Sequence, residues 1–244
     1  MPPKKPAEKQ TSKKWPEMPW DRVVDLLERI VFHIQAADSL GTGFAVSVGK
    51  QDKPQKLNHY MFATAWHVVE NVVNSDHPIL MTATDGKTAF EAKAGYYSIF
   101  RLGPEIFDTA LIYLKSGEEI LSQGDLLPML DWDLQMAKGT EIGWVGFPGI
   151  VGQPFCFFKG SVSGYLDSPP TYLVDGVAIN GVSGGPAVDN QAHIIGLVSS
   201  YIPNKVDKYT TLPGLVTIVP INAIRYWIKH KMKARVVYRG PKGT

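Results

Sequence analysis

The chain has 244 residues, 44% of them hydrophobic and 20% charged, with 25 Lys and Arg against 23 Asp and Glu. A net charge of +2 is too small to argue for nucleic-acid binding across the whole molecule. No window holds the roughly eighteen uninterrupted apolar residues of a membrane span. The only cysteine, Cys156, excludes an internal disulfide, and its flanks Phe155, Phe157 and Phe158 predict a buried strand position rather than a nucleophile.

Residues 1–20 carry Lys4, Lys5, Lys9, Lys13 and Lys14 among five prolines, the composition of a disordered basic tail. A solvated tail is the plain reading; contact with an acidic partner or with nucleic acid is the other. No apolar leader follows it, so no secretory signal is expected. Trp15 and Trp20 stand where they would pin the tail to the body. Residues 21–28 predict a short amphipathic helix with Asp21 as cap. Strands are predicted at 29–35 and 41–48, and 59–69 begins as a strand and ends near a helical turn. Further short runs fall at 79–82, 90–92 and 108–114. The second half repeats the style at 141–149, 155–163, 172–178, 187–188, 193–201 and 215–219. Short strands punctuated by Gly and Pro predict an all-β sandwich or a pair of barrels. Pro220 closes the last strand, 221–233 predicts an amphipathic helix with Ile224, Trp227 and Ile228 on one face, and the chain after Val237 reads as frayed.

One stretch organises the rest: Asn180-Gly181-Val182-Ser183-Gly184-Gly185-Pro186. Glycines on both sides of Ser183 allow positive φ angles and the close approach of a second chain. The backbone N–H groups of Gly181 and Ser183 can then aim at one point, as an oxyanion hole requires. Ser-Gly-Gly alone fits an ordinary hairpin loop better, because a serine hydroxyl is inert without a base. His67, in Ala63-Thr64-Ala65-Trp66-His67, is a candidate base. Asp108 leads the apolar run Thr109-Ala110-Leu111-Ile112, where an ionised carboxylate is costly unless hydrogen-bonded. Asp175 is the runner-up acid. His33, His59, His77, His193 and His230 lack such a setting. No His/Cys spacing suggests a metal site and no phosphate-binding loop is present, so neither a metal nor another cofactor is expected.

Six motifs, in order, resemble the chymotrypsin-fold serine peptidases, in particular the bacterial trypsin-like and HtrA/Deg-type branch. They are Gly41-Thr42-Gly43-Phe44, Thr64-Ala65-Trp66-His67, Phe107-Asp108-Thr109-Ala110-Leu111, Gly143-Trp144-Val145-Gly146-Phe147-Pro148-Gly149, Gly181-Val182-Ser183-Gly184-Gly185-Pro186 and Ile195-Gly196-Leu197-Val198-Ser199. The order His, Asp, Ser is that of the chymotrypsin triad.

The resemblance implies two packed six-stranded antiparallel β-barrels, at 21–118 and 119–220, with a helix at 221–234, tails at 1–20 and 235–244, and the site between the barrels. It implies His67 as general base and acid, Asp108 as its orienter and Ser183 as nucleophile. Gly181 and Ser183 would form the oxyanion hole, each such donor being worth about 3–4 kcal/mol. Ser199 would orient Asp108, and its backbone would pair with the substrate strand. Val177, Ser200, Tyr201 and Gly214 would complete the substrate pocket.

The departures matter as well. Val182 stands where pancreatic-type enzymes carry the acid that captures a new N-terminus, which excludes activation by that ion pair. Val177 stands where a trypsin-like pocket places an aspartate, and Tyr201 replaces a wall glycine, so a narrowed apolar pocket is expected. No PDZ-type domain is expected after the helix. Secreted members are usually disulfide-stapled, so a chain with one cysteine is expected in the cytoplasm. The reading is a serine endopeptidase acting on a protein or peptide, latent if a partner must order its loops. The alternative is a protease fold that binds a peptide or partner without turnover.

Overall fold

The computed structural model describes residues 16–49, 57–73, 77–93, 96–102, 107–131, 134–150, 153–205, 211–222, 224–225 and 236–239. The chain enters through helix α1 (Trp20–Leu27), which buries Val23 and Leu27, one turn apart on a single face. Pro19 precedes it with no capping side chain; Asp21, expected as the cap, lies in the first turn, where its charge meets the positive end of the helix. Trp20 ties this entry to the second half of the chain. Its Nε1–H donates to Glu141 at 2.8 Å and its ring lies 5.3 Å from that of Phe157. Trp15 lies outside the described residues.

Strands β1 (Val31–Ala36) and β2 (Ser39–Gly49) form a hairpin closed by Ala37 and Asp38, with Ala37 at φ +53°. β3 (Asn58–Thr64) and the single turn α2 (Trp66–Val69) follow, then β4 (Ile79–Ala83), β5 (Ala89–Ala92), β6 (Tyr97–Arg101) and β7 (Ala110–Ser116). The second unit contains β8 (Glu141–Gly146), β9 (Cys156–Asp167), β10 (Pro170–Asp175), β11 (Pro186–Val188), β12 (Ile194–Lys205) and β13 (Thr211–Pro220). Its strands close in the order β10-β13-β12-β11-β8-β9, the expected six-stranded barrel.

The first unit departs from a closed six-stranded barrel. It is an eight-stranded sheet ordered β14-β6-β7-β3-β2-β1-β4-β5, in which the last described segment, β14 (Val236–Arg239), returns to pair with β6. That stretch, read as frayed from sequence, occupies the edge of β6 that closure onto β5 would require. β6 itself was not anticipated, although Tyr97 and Ile99 alternate inward along it. Of the expected C-terminal helix only the first residues are described. Arg225 N–H donates to the Ile221 carbonyl at 2.9 Å and Ile224 is buried, while Trp227 and Ile228 lie outside the described residues. No helix among the described residues is long and apolar enough to cross a membrane.

Each unit has its own apolar interior. In the first, Phe32, Phe62 and Phe90 meet ring to ring at 5.3–5.8 Å. In the second, fully buried Trp144 stacks on Phe158 at 6.3 Å and lies tight against Gly176, where a Cβ would overlap the indole, while a Cβ at Gly160 would overlap the Asp175 carbonyl. Side chains of this size contribute roughly 1.5–3 kcal/mol each on burial. Cys156 begins β9 half-buried, less enclosed than its aromatic flanks suggest.

Candidate active site

His67 sits on α2, immediately after β3, and Asp108 sits just before β7. β3 and β7 pair antiparallel with Thr64 opposite Ala110, so the end of one strand adjoins the start of the other. This register joins two residues 41 positions apart: His67 N–H donates to Asp108 Oδ1 at 3.0 Å, and Nδ1–H donates to Oδ2 at 2.8 Å. With Nδ1 protonated by that pairing, Nε2 is the ring's acceptor.

A third donor comes from the barrel. The pairing of β12 with β13 shifts register between Val198 and Ser200, leaving Ser199 as the extra residue of a bulge. Bulges re-aim side chains, and here Ser199 Oγ–H donates to Asp108 Oδ2 at 2.7 Å. Burial alone would raise the Asp108 carboxyl, but the bond from the His67 ring, its charge, and the His67 backbone and Ser199 donors outweigh it and lower the pKa. The His67 imidazole is raised chiefly by its bond to Asp108, against the opposing effect of burial.

Ser183 lies on the loop between β10 and β11. Gly181 takes φ +95° and Gly184 φ +87°, and a Cβ at either would overlap backbone, at Phe147 and Thr42 respectively. The carbonyls from Ile179 to Ser183 are all engaged. Ile179 accepts from Val182 N–H at 3.0 Å, Asn180 from Gly149 N–H at 2.6 Å, and Val182 from Gly185 N–H at 3.0 Å. Gly181 accepts from the Thr42 hydroxyl at 2.7 Å and Ser183 from Thr42 N–H at 2.9 Å. Among the described residues, the N–H groups of Gly181 and Ser183 donate to nothing. The Ser183 hydroxyl donates to the Ser199 carbonyl at 3.1 Å.

His67, Ser183, Ser199 and Ser200 line one cavity of about 310 Å³ together with Ala178, Ile179, Asn180 and Val198. A second, of about 240 Å³, lies across Ser199 and Ser200, walled by Phe107, Leu166, Pro169, Pro170 and Val219. The tertiary structure thus gathers His67, Asp108, Ser183, Ser199 and Ser200, with Gly181 beside them. Val177 is not gathered: it is half-exposed, off both cavities, and its carbonyl accepts Trp144 Nε1–H at 3.2 Å. Gly214, on β13, lines neither cavity, and the Tyr201 side chain lies outside the described residues. Ala178, Ile179 and Val198 were not singled out from sequence as pocket residues, nor was Thr42 as a brace. The loop that carries Val177 reaches the cavity instead through Ala178, Ile179 and Asn180. Asp175 is exposed at the end of β10 and takes no part. Among the described residues no cluster of three His, Cys, Asp or Glu could hold a metal ion.

A closed six-stranded antiparallel barrel and an open sheet that share a serine–histidine cavity define a chymotrypsin-like fold. The family model of the trypsin-like peptidase domain matches residues 41–197, well over half the chain, and the protein belongs to that family. Among solved structures, the Rv3671c protease in its inactive form aligns at TM-score 0.60 and 19% identity over 87% of this chain and 93% of that one. A mutant of Rv3671c from M. tuberculosis H37Rv, also inactive, gives 0.59 and 19% over 85% and 88%. A serine endoprotease from Yersinia pestis gives 0.62 and 15% over 87% and 66%. These likenesses are of fold. No curated protein sequence matches the chain.

Proposed function

We propose that the protein is a serine endopeptidase that hydrolyses peptide bonds through an acyl-enzyme. The observation that carries this reading is His67, held at Nδ1 by Asp108, in one cavity with Ser183. Ser183 Oγ attacks the peptide carbonyl carbon as its proton passes to His67 Nε2. The tetrahedral oxyanion accepts from Gly181 and Ser183 N–H; His67 then protonates the departing amine, and water repeats the sequence to free the acid and restore Ser183.

At rest the Ser183 hydroxyl is committed to the Ser199 carbonyl. An extended substrate paired along the bulge of β12 would offer its own N–H to that carbonyl and release the hydroxyl to His67. A partner that seats a strand there would do the same, which is the form latency would take. Alternate side chains of an extended substrate face opposite sides. One would enter the cavity of Ala178, Ile179 and Val198, favouring small or medium apolar groups, and its neighbour on the other side would meet the hollow of Phe107, Leu166 and Pro169. The substrate is a protein or peptide and the compartment the cytoplasm, since a chain with one cysteine draws on no disulfide.

A fluorophosphonate probe tests the reading. Ser183 should be labelled in the wild type and labelling lost in Ser183→Ala. Labelling that appears only with an added partner would identify latency. A wild type that binds peptides but is never labelled would instead be a non-catalytic peptide-binding module.

A further inference from the structure

With Val182 in place of an acid, the serine loop lacks the usual ion-pair anchor, and the hydrogen-bond accounting points to what replaces it. Thr42 lies on β2, in the other unit of the fold, and is fully buried. All of its polar groups converge on the serine loop or brace the grip from behind. Its N–H donates to the Ser183 carbonyl at 2.9 Å. Its hydroxyl donates to the Gly181 carbonyl at 2.7 Å while accepting from Phe147 N–H at 3.1 Å. Its own carbonyl accepts from the Thr64 hydroxyl at 2.7 Å, and Thr64 is fully buried too. Gly184 passes so close that a Cβ would overlap the Thr42 carbonyl, and a Cβ at Gly146 would crowd both Thr42 Oγ1 and Val182. Val182 itself is fully buried.

We infer that the Thr42 hydroxyl is a positioning residue for the oxyanion hole, replacing the activation ion pair. This rests on the serine-peptidase reading above. Each peptide plane carries a C=O and an N–H pointing in opposite directions, so a gripped carbonyl sets where the facing N–H points. Thr42 grips the carbonyls of Gly181 and Ser183, whose planes carry the Val182 and Gly184 N–H groups, and the Val182–Ser183 plane that carries the Ser183 N–H is held between those two. The same hydroxyl holds Phe147 N–H, at the base of the Pro148-Gly149 turn whose Gly149 N–H takes the Asn180 carbonyl at 2.6 Å. That last bond orients the Asn180–Gly181 peptide, and with it the Gly181 N–H. One buried hydroxyl therefore links both supports of the loop. A buried carbonyl deprived of its donor reorients to find another, and here a turned Gly181–Val182 plane would re-aim the two planes beside it, which carry the Gly181 and Ser183 N–H groups. Because Thr42 comes from the first sheet and the loop from the barrel, the hole is formed only while the two units are docked.

The test compares Thr42→Val, which keeps the shape and removes the hydroxyl, with Thr42→Ser, which keeps the hydroxyl. Thr42→Val is expected to lower kcat and the rate of fluorophosphonate labelling about 100-fold, the effect of losing one oxyanion donor, with KM changed less than threefold. Thr42→Ser should come back to within about fivefold of wild type. A peptide boronate, which mimics the tetrahedral adduct, should lose affinity in Thr42→Val by the same factor as kcat, a link that a merely structural role would not produce. Should Thr42→Val fail to fold, Thr42→Ala removes the hydroxyl without a methyl against the Gly181 carbonyl and carries the same comparison. Amide NMR signals of Gly181 and Ser183 give a readout independent of turnover. They should shift in the hydroxyl-free variants and hold in Thr42→Ser. Unshifted amides in folded Thr42→Val or Thr42→Ala, or wild-type kcat in either, overturn the inference. A wild type never labelled overturns the peptidase reading instead, and the amide comparison still decides the role of Thr42.

Discussion

The described residues contain two histidine–aspartate pairs of nearly identical geometry, and only one lines a cavity with a serine. His67 and Asp108 meet through Nδ1 and Oδ2 at 2.8 Å, His193 and Asp189 through the same atoms at 2.9 Å. The second pair is local. Asp189 follows β11 and takes the backbone N–H groups of Gln191 and His193 at 2.9 and 2.8 Å, closing the turn into β12. Its side chains are 16% and 13% exposed, and neither lines the two cavities beside Ser199. The first pair is assembled across a strand register, 46% and 27% exposed, and His67 faces the cavity that holds Ser183. A histidine held by a carboxylate is chemically the same object in both places. What differs is that His67 shares a cavity with a serine hydroxyl and His193 does not.

The sharpest way to break this comparison is to truncate each histidine. His67→Ala should lower kcat/KM by about 10⁴-fold or more, whereas His193→Ala should leave turnover unchanged and reduce only the melting temperature. Equal losses of activity would erase the distinction. Next come the acids. Asp108→Asn keeps the shape but removes the charge that fixes the imidazole tautomer, and a drop of about 10⁴ in kcat is expected. Asp189→Asn should cost about 2 kcal/mol in denaturant unfolding, the scale of bonds to a charged acceptor, with kcat intact.

The pH profile separates the pairs further. His67 is raised above its ordinary 6.5, so the neutral base appears only above that value, and kcat/KM should climb through an apparent pKa higher than 6.5. Asp108→Asn should move this limb to lower pH. In stability the sign is opposite: the His67 contribution is complete below about 6.5 and is lost as pH rises through the folded value. That of Asp108, which is lowered, is present above 3.8 and lost as pH falls through its folded value. Smallest is Ser199→Ala, which removes one of three donors to Asp108. A fall in kcat of about tenfold is expected, equivalent to roughly 1.4 kcal/mol.

Much of the fold was legible in the chain. Short apolar runs marked most strands of both units, and Gly or Pro marked their ends. Two strands escaped, each for a physical reason. β6 is short, with Ser98 and Arg101 breaking its apolar run, and β14 is a strand only because β6 offers it an edge. At the site, Asp108 was legible because a carboxylate heading an apolar run needs a partner, and Ser183 because glycines crowd it. The inward-facing members of the loop were not legible. Whether Val177 or Ala178 turns into the cavity depends on the bond from Trp144 to the Val177 carbonyl, 33 positions away in sequence.

By itself, then, the sequence determined the strand inventory, the nucleophile-type loop, and the residue types able to serve as its base and orienter, because these depend on local pattern and on the cost of burying polar groups. Tertiary structure alone brought the His67–Asp108 pair into the serine's cavity, left β5 and β6 without a pairing to each other, and made Thr42 grip the serine loop from the opposite unit. Those outcomes rest on strand register and on the docking of two units. Both are set by contacts between residues distant in sequence, where no local periodicity records them.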